Sequence, residues 1–405
     1  MRERRGVAAV AGVLLLGTAV AAYGEIAVSA NDAKLKLVNG KAEVQKSPAP
    51  DTVTFIDLRA SPPKALAEIE VPNSIVGPPT NVAVSPKEDI ALVTSAMKID
   101  PADPTKQIPD DTVSVIDLSP LKPSLVGRLR KAVGNPEPPK PPKVIATLQA
   151  GKGAAGVSIN KAGTLALVAN RSEGTVSVFT IAGTTVTAAG TVTVGKPDSG
   201  PSHVAFTPDG KRALVTRDND HRVVVLSVDG SKVEATKREI ATGLRPYGLD
   251  ISAAGDVAVV ANIGISGSGD ANTISVIDLK LDPPRVVGSY SVGVTPEGIK
   301  MSPDGKMVAV TVMNGSNMAP GTPFYNDNGI LQVWTRTGTQ LTKTAELPIG
   351  KWCQGVAWAA NSKSLLAQCV VEEEIIAVRV SGKTLQKTGS IKTKGGPAGI
   401  RTAEP

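Results

Sequence analysis

The stretch DTVSVIDL, residues 111–118, has the form of a single β-strand. β-Branched residues alternate with Thr, Ser and Asp, so one face is apolar and the other polar. The same eight-residue form recurs as DTVTFIDL (51–58), GTVSVFTI (174–181), HRVVVLSV (221–228), NTISVIDL (272–279), GILQVWTR (329–336) and EEIIAVRV (373–380), making seven copies. Upstream of each copy lies a second apolar run of the type ALVTN. Before most of those runs comes a third element, P-x-G-[VIL]-x-[VIM]-S-P-D-G. The Pro-Asp-Gly tripeptide or its substitute is a tight turn, with Gly supplying the positive φ. A fourth alternating run follows each copy, for example KVIATLQA and RVVGSYSV. Four antiparallel strands in a unit of about 45–60 residues are a propeller blade. The expected fold is all-β, a seven-bladed propeller of four-stranded antiparallel blades.

The two chain ends explain each other. EIAVSAND, from Glu25, begins on a second strand and lacks a first, while GGPAGIRTA (395–403) is a first strand with nothing after it. Pairing the two completes blade one and leaves no open sheet edge. Ahead of Glu25, MRERR and the apolar run GVAAVAGVLLLGTAVAA read as a secretory leader, with cleavage after Ala21 or Gly24. The run is short for a membrane span. The expected organisation is a leader over 1–24 and a single propeller domain over 25–405, located in the periplasm or secreted, monomeric, with no membrane span in the mature chain.

Composition agrees. Only 4 Phe, 3 Trp and 4 Tyr stand against 40 Gly, as suits thin Val- and Ala-rich strands. The net charge of +7 is too mild to argue for nucleic acid, and no aromatic-plus-basic groove is visible. The basic, Pro-rich insert at 121–143 reads as a solvated loop with polyproline character. Cys353 and Cys369 start one strand and end its hairpin partner, so an oxidising compartment favours a disulfide between them.

Runs such as ALVTSAMKID, ALVANRSEGTVSVF and AVVANIG, taken with DTVSVIDL, resemble the YVTN repeat. The chain resembles exported seven-bladed propellers of the YncE-like and lactonase-like superfamily. The resemblance covers nearly the whole mature chain and implies the fold. Its implications for activity are weaker, because the architecture hosts unrelated chemistries.

The blade pattern says where a site would lie. Residues just before and at the start of each first strand line one mouth of the central channel, and loops after second strands rim it. At these positions blades four to seven bring Ser202, His203, Arg245, Tyr247, Glu297, Trp352 and Gln354, and Asn81 replaces the usual Gly in blade two. Polar groups converging beside an aromatic wall describe a binding site for a small molecule or a partner protein. Long insertions beginning at Met97, Ile263 and Val312 would rim or lid the same mouth. His221 starts a third strand and is expected at the surface, away from it.

Two histidines exclude a His-rich copper centre, and no C-x-x-C-H, Walker or dinucleotide motif is present. No cofactor or metal is expected, since the Asp and Asn groups near 100–111 and 326–328 match no calcium-loop spacing. Two readings remain. One is a non-enzymatic ligand- or partner-binding propeller, the favoured expectation. The other is a hydrolase of sugar lactones or related cyclic esters, with His203 or Glu297 as base and Arg245 stabilising the oxyanion. Arg245 and Glu297 could equally form a plain ion pair between neighbouring blades, and His203 a structural hydrogen bond. Nucleic-acid binding ranks third.

Overall fold

The computed structural model describes residues 25–122, 140–265 and 272–404. The leader, most of the Pro-rich insert and the tip of the Ile263 insertion lie outside these residues. Seven four-stranded antiparallel sheets make the seven blades. In blade four, Pro201–Phe206, Arg212–Arg217, Arg222–Asp229 and Lys232–Ala241 run outward from the channel in sequence order. Inner strands are almost wholly buried, as in Pro201–Phe206, whereas outer strands such as Lys143–Gln149 are mostly exposed.

Each strand's apolar side chains pack between blades. One core joins Leu92, Val113 and Val115 of blade two to Val157, Val168 and Phe179 of blade three. At the turns, Asp304 shows the local chemistry: it accepts from the backbone N–H of Lys306 at 3.1 Å and from the Ser302 hydroxyl at 2.6 Å, and Gly305 follows at φ +69°.

The chain closes on itself as expected. Gly396–Arg401 pairs antiparallel with Ile26–Asp32, Val28 facing Arg401 and Ala30 facing Gly399. Thr402–Glu404 then continues past the strand. Ala403 bridges to Val84, and Glu404 reaches Lys300 of blade six.

Around the channel the inner strands nearly touch. A Cβ on Gly298 would lie 2.1 Å from the Gln354 carbonyl oxygen, and one on Gly248 would lie 2.4 Å from that of Glu297. No side chain fits there, which is why the repeat keeps Gly at this position. Threonines on second strands tie the same seams. Thr216 donates to the Tyr247 carbonyl at 2.9 Å, and Thr94 and Thr311 donate to the carbonyls of Ala155 and Gln354.

Insertions roof half of the mouth. The hairpin Leu35–Val38/Lys41–Val44, not foreseen from the sequence, reaches from blade one to the blade-six loop, where its Gly40 packs against Ala319. The Met97 insertion forms a second hairpin, Met97–Ile99/Gln107–Pro109. Leu35, Ile75, Met313, Trp352, Val370 and Ala398 form the apolar underside of this roof.

Candidate functional site at the channel mouth

Beneath the roof, seven polar side chains from blades three to seven meet. Asp218 stands immediately after the second strand of blade four with its carboxylate fully buried. Its Oδ2 accepts from Arg171 Nη2 at 2.6 Å and from Arg245 Nη2 at 3.1 Å. Its Oδ1 has no partner and faces Gly200, where a Cβ would sit 2.2 Å away. Arg171 also donates through Nη1 to the Ser202 hydroxyl, and its guanidinium lies 5.6 Å from the centre of the Tyr247 ring. One buried carboxylate therefore aligns two guanidiniums whose side chains remain 28% and 27% exposed, leaving donor faces for a ligand.

Arg245 is placed by backbone geometry. It enters its inner strand at φ +55°, and the corresponding residues Thr295 and Trp352 in blades six and seven enter at +55° and +50°. Its N–H donates to Nδ1 of His221 at 3.1 Å. This corrects the placement of His221, which is exposed but stands on the mouth rim, because third strands begin on the same face as first strands.

Glu297 lies beside the two arginines and is 8% exposed. Burial pushes its carboxyl up from 4.5 to about 8, against the opposing pull of Gln354, Arg171 and Arg245. Its Oε2 is buried without a hydrogen-bond partner. Arg245 is ion-paired to Asp218, so the alternative of a plain Arg245–Glu297 bridge is not what forms. Burial likewise raises the Tyr247 phenol well above its usual range. Two arginines sharing one carboxylate, beside a carboxyl and a phenol that burial favours in their neutral forms, make this cluster electropositive.

Ser202, Arg245, Tyr247, Glu297 and Gln354 are thus brought together, and the remaining sequence candidates go elsewhere. Trp352 is no wall of this site, because the hairpin and the blade-six loop bury it in the roof, with its backbone N–H donating to the Ser316 hydroxyl at 3.0 Å. Asn81 is buried in the channel wall, donating to the Thr94 carbonyl at 3.2 Å and crowding against Gly399. His203 faces lower in the channel. Its Nδ1 accepts from the Leu249 N–H at 3.1 Å, which bridges blades four and five. Burial, with Arg401 and Lys300 nearby, holds the imidazole neutral. Cys353 and Cys369 are disulfide-bonded across the inner hairpin of blade seven.

Sequence reasoning missed Arg171 and Asp218, which follow second strands in the short loops of ALVANRSEG and LVTRDND. It also missed a charged set two residues beyond the Gly position, Asp250, Lys300 and Arg401. GLDI, GIKM and GIRT each place a charge where the other blades have Ala or Ser.

The family described as "Lactonase, 7-bladed beta-propeller" matches residues 137–237 and 189–320. No curated protein sequence matches. Among solved structures, the periplasmic gluconolactonase PpgL of Pseudomonas aeruginosa superposes with TM-score 0.64 at 16% identity, covering 94% of this chain and 100% of that one. A functionally unknown protein from Desulfotomaculum acetoxidans gives 0.65 at 16% identity, covering 94% and 99%. Kuenenia stuttgartiensis hydrazine synthase gives 0.58 at 16% identity, covering 82% and 91%. At such identities these structures establish the fold alone, and they show it carrying different chemistries. The chain is a seven-bladed β-propeller, and its residues 137–320 are similar to the lactonase propeller family.

Proposed function

We propose that the channel mouth hydrolyses a sugar lactone or a related cyclic ester. The observation that carries this is Glu297: a buried carboxyl with a free Oε2, its acidity shifted toward neutrality, set beside a pair of pre-aligned arginines. In its ionised form Glu297 takes a proton from water as the water oxygen attacks the lactone carbonyl carbon. Arg171 and Arg245 hold the oxyanion. As the ring C–O bond breaks, Glu297 returns the proton to the leaving ring oxygen, giving a hydroxy acid that loses its carboxyl proton to solvent and whose carboxylate stays on the arginines until release. Asp218 touches no reacting atom in this scheme and acts by holding both guanidiniums in place.

The match to a lactonase family and the gluconolactonase neighbour support this reading over a purely binding role. The basic-then-apolar start of the sequence favours a site of action outside the cytoplasm.

The test is acid release from a panel of aldonolactones in a pH-stat, corrected for uncatalysed opening. The wild-type rate should rise with pH and level off above about pH 8, and Glu297→Gln should lower kcat about 10²–10⁴-fold. Asp218→Asn should chiefly raise KM. Binding of the panel without acid release would instead leave the mouth a ligand-binding site.

A further inference from the structure

A second constellation lies deeper in the channel, at the end opposite the mouth. Asp250, Lys300 and Arg401 project from the inner strands of blades five, six and one, each 3–5% exposed. In the intervening blade seven, Ala357 occupies the corresponding position and leaves the centre open. Lys300 Nζ is 2.8 Å from Asp250 Oδ1, whose Oδ2 accepts from the Met301 N–H at 2.7 Å, so the Asp250 carboxylate is fully used. Arg401 donates through Nη1 to the backbone carbonyls of Ile400 and Pro79, at 3.0 and 3.4 Å. With His203 neutral beside them, the blades place two cations against one carboxylate. They build a buried pocket with one positive charge in excess.

The missing negative charge comes from outside the blades. Both carboxylate oxygens of Glu404 lie on Lys300 Nζ, at 2.6 and 2.5 Å. Glu404 belongs to the short tail beyond the last strand, which is held by the Ala403–Val84 bridge and a 3.4 Å hydrogen bond from Thr402 to the Trp358 carbonyl. Its side chain is still 34% exposed, and it lines a cavity of about 40 Å³ together with Ser158, Lys161, His203 and Asp250. The tail thus seats a carboxylate on the buried Lys300 ammonium.

We propose that the channel floor is a carboxylate-binding site centred on Lys300, with the Arg401 cation nearby and Glu404 as its intramolecular occupant. A small monocarboxylate such as formate or acetate takes the same seat once Glu404 is withdrawn. The cavity and the volume of the deleted side chain together set the size class. This site is separate from the mouth and does not depend on lactone hydrolysis.

The test is thermal unfolding of the wild type and of Glu404→Ala in sodium formate or acetate, against sodium chloride at equal ionic strength. Glu404→Ala should melt about 4 °C below wild type in chloride. Formate should return at least half of that loss while moving the wild type by less than about 1 °C. Glu404→Gln, which keeps the side-chain volume, and Lys300→Met/Glu404→Ala, which removes the cation, should not respond. Equal responses in wild type and Glu404→Ala, or a response that survives in the double variant, would overturn the proposal. If Glu404→Ala does not fold in chloride, recovery on refolding in formate is the readout, and no gain over chloride overturns it.

Discussion

Replacing Glu297 with Gln isolates the least ordinary group in the mouth. The carboxyl is 8% exposed, and burial lifts it from 4.5 to about 8 in the folded protein. Below pH 4.5 the folded and unfolded chains both keep the proton, so this shift has no effect on stability there. Between 4.5 and about 8 the unfolded chain gives it up and the folded chain does not. Each pH unit in that window removes about 1.4 kcal/mol of stability, and the loss levels off above pH 8 at about 5 kcal/mol. Gln has nearly the same shape and never ionises. The variant should therefore match wild type to within about 1 kcal/mol at pH 5 and gain on it steadily up to pH 8. The gain corresponds to about 6 °C in Tm for a chain of this length. Melting curves of both proteins from pH 5 to pH 9 read this directly. A difference that stays flat with pH would mean that the carboxyl titrates at or below its usual value, with Arg171 and Arg245 offsetting or outweighing burial. That result would remove the basis for the catalytic pH profile, whatever the substrate.

Two further predictions concern the framework. Gly298→Ala places a methyl 2.1 Å from the Gln354 carbonyl oxygen and 2.5 Å from the Thr311 hydroxyl, whereas Gly338 at φ +60° has nothing within 4 Å. Crowding should outweigh backbone strain, so Gly298→Ala should lose several kcal/mol and Gly338→Ala about 1 kcal/mol, compared by urea unfolding. Replacing Cys353 and Cys369 with Ser opens a loop with a sequence separation of 16. This should lower stability by about 3 kcal/mol, or about 4 °C in Tm, and reductant should reproduce the loss only slowly because both sulfurs are fully buried.

The blades could be read from the sequence because each is a local object. Four alternating strands and a Pro-Asp-Gly turn carry their own pattern, and seven repetitions leave little room for another fold. The ring closure followed by counting, since the strand missing before Glu25 is the one left over at Gly395. The roof was not legible in the same way. Asn39-Gly40, with φ of 47° and 75°, is a hairpin signal in plain view, but that its tip would dock on the loop of blade six depends on a contact spanning most of the chain. Trp352 therefore looked like an open aromatic wall and is in fact covered.

Several polar residues of the channel are departures from the repeat. The framework requires Gly where inner strands touch and small residues two positions on, so a blade that breaks either rule has placed a larger group in the channel at some energetic cost. His203 and Asn81 break the first rule, and Asp250, Lys300 and Arg401 break the second. Arg171 and Asp218 sit where second strands end, a position the pattern leaves unconstrained, and only three-dimensional proximity to Arg245 gives them meaning. Repetition thus fixes the scaffold, and residues that break it or lie beyond it supply much of the candidate sites. Buried charges within the repeat can be found by aligning the blades against one another. Charges in the short loops that follow second strands emerge only when neighbouring blades are placed side by side, as Asp218 shows by joining an arginine from the blade before it to one from the blade after.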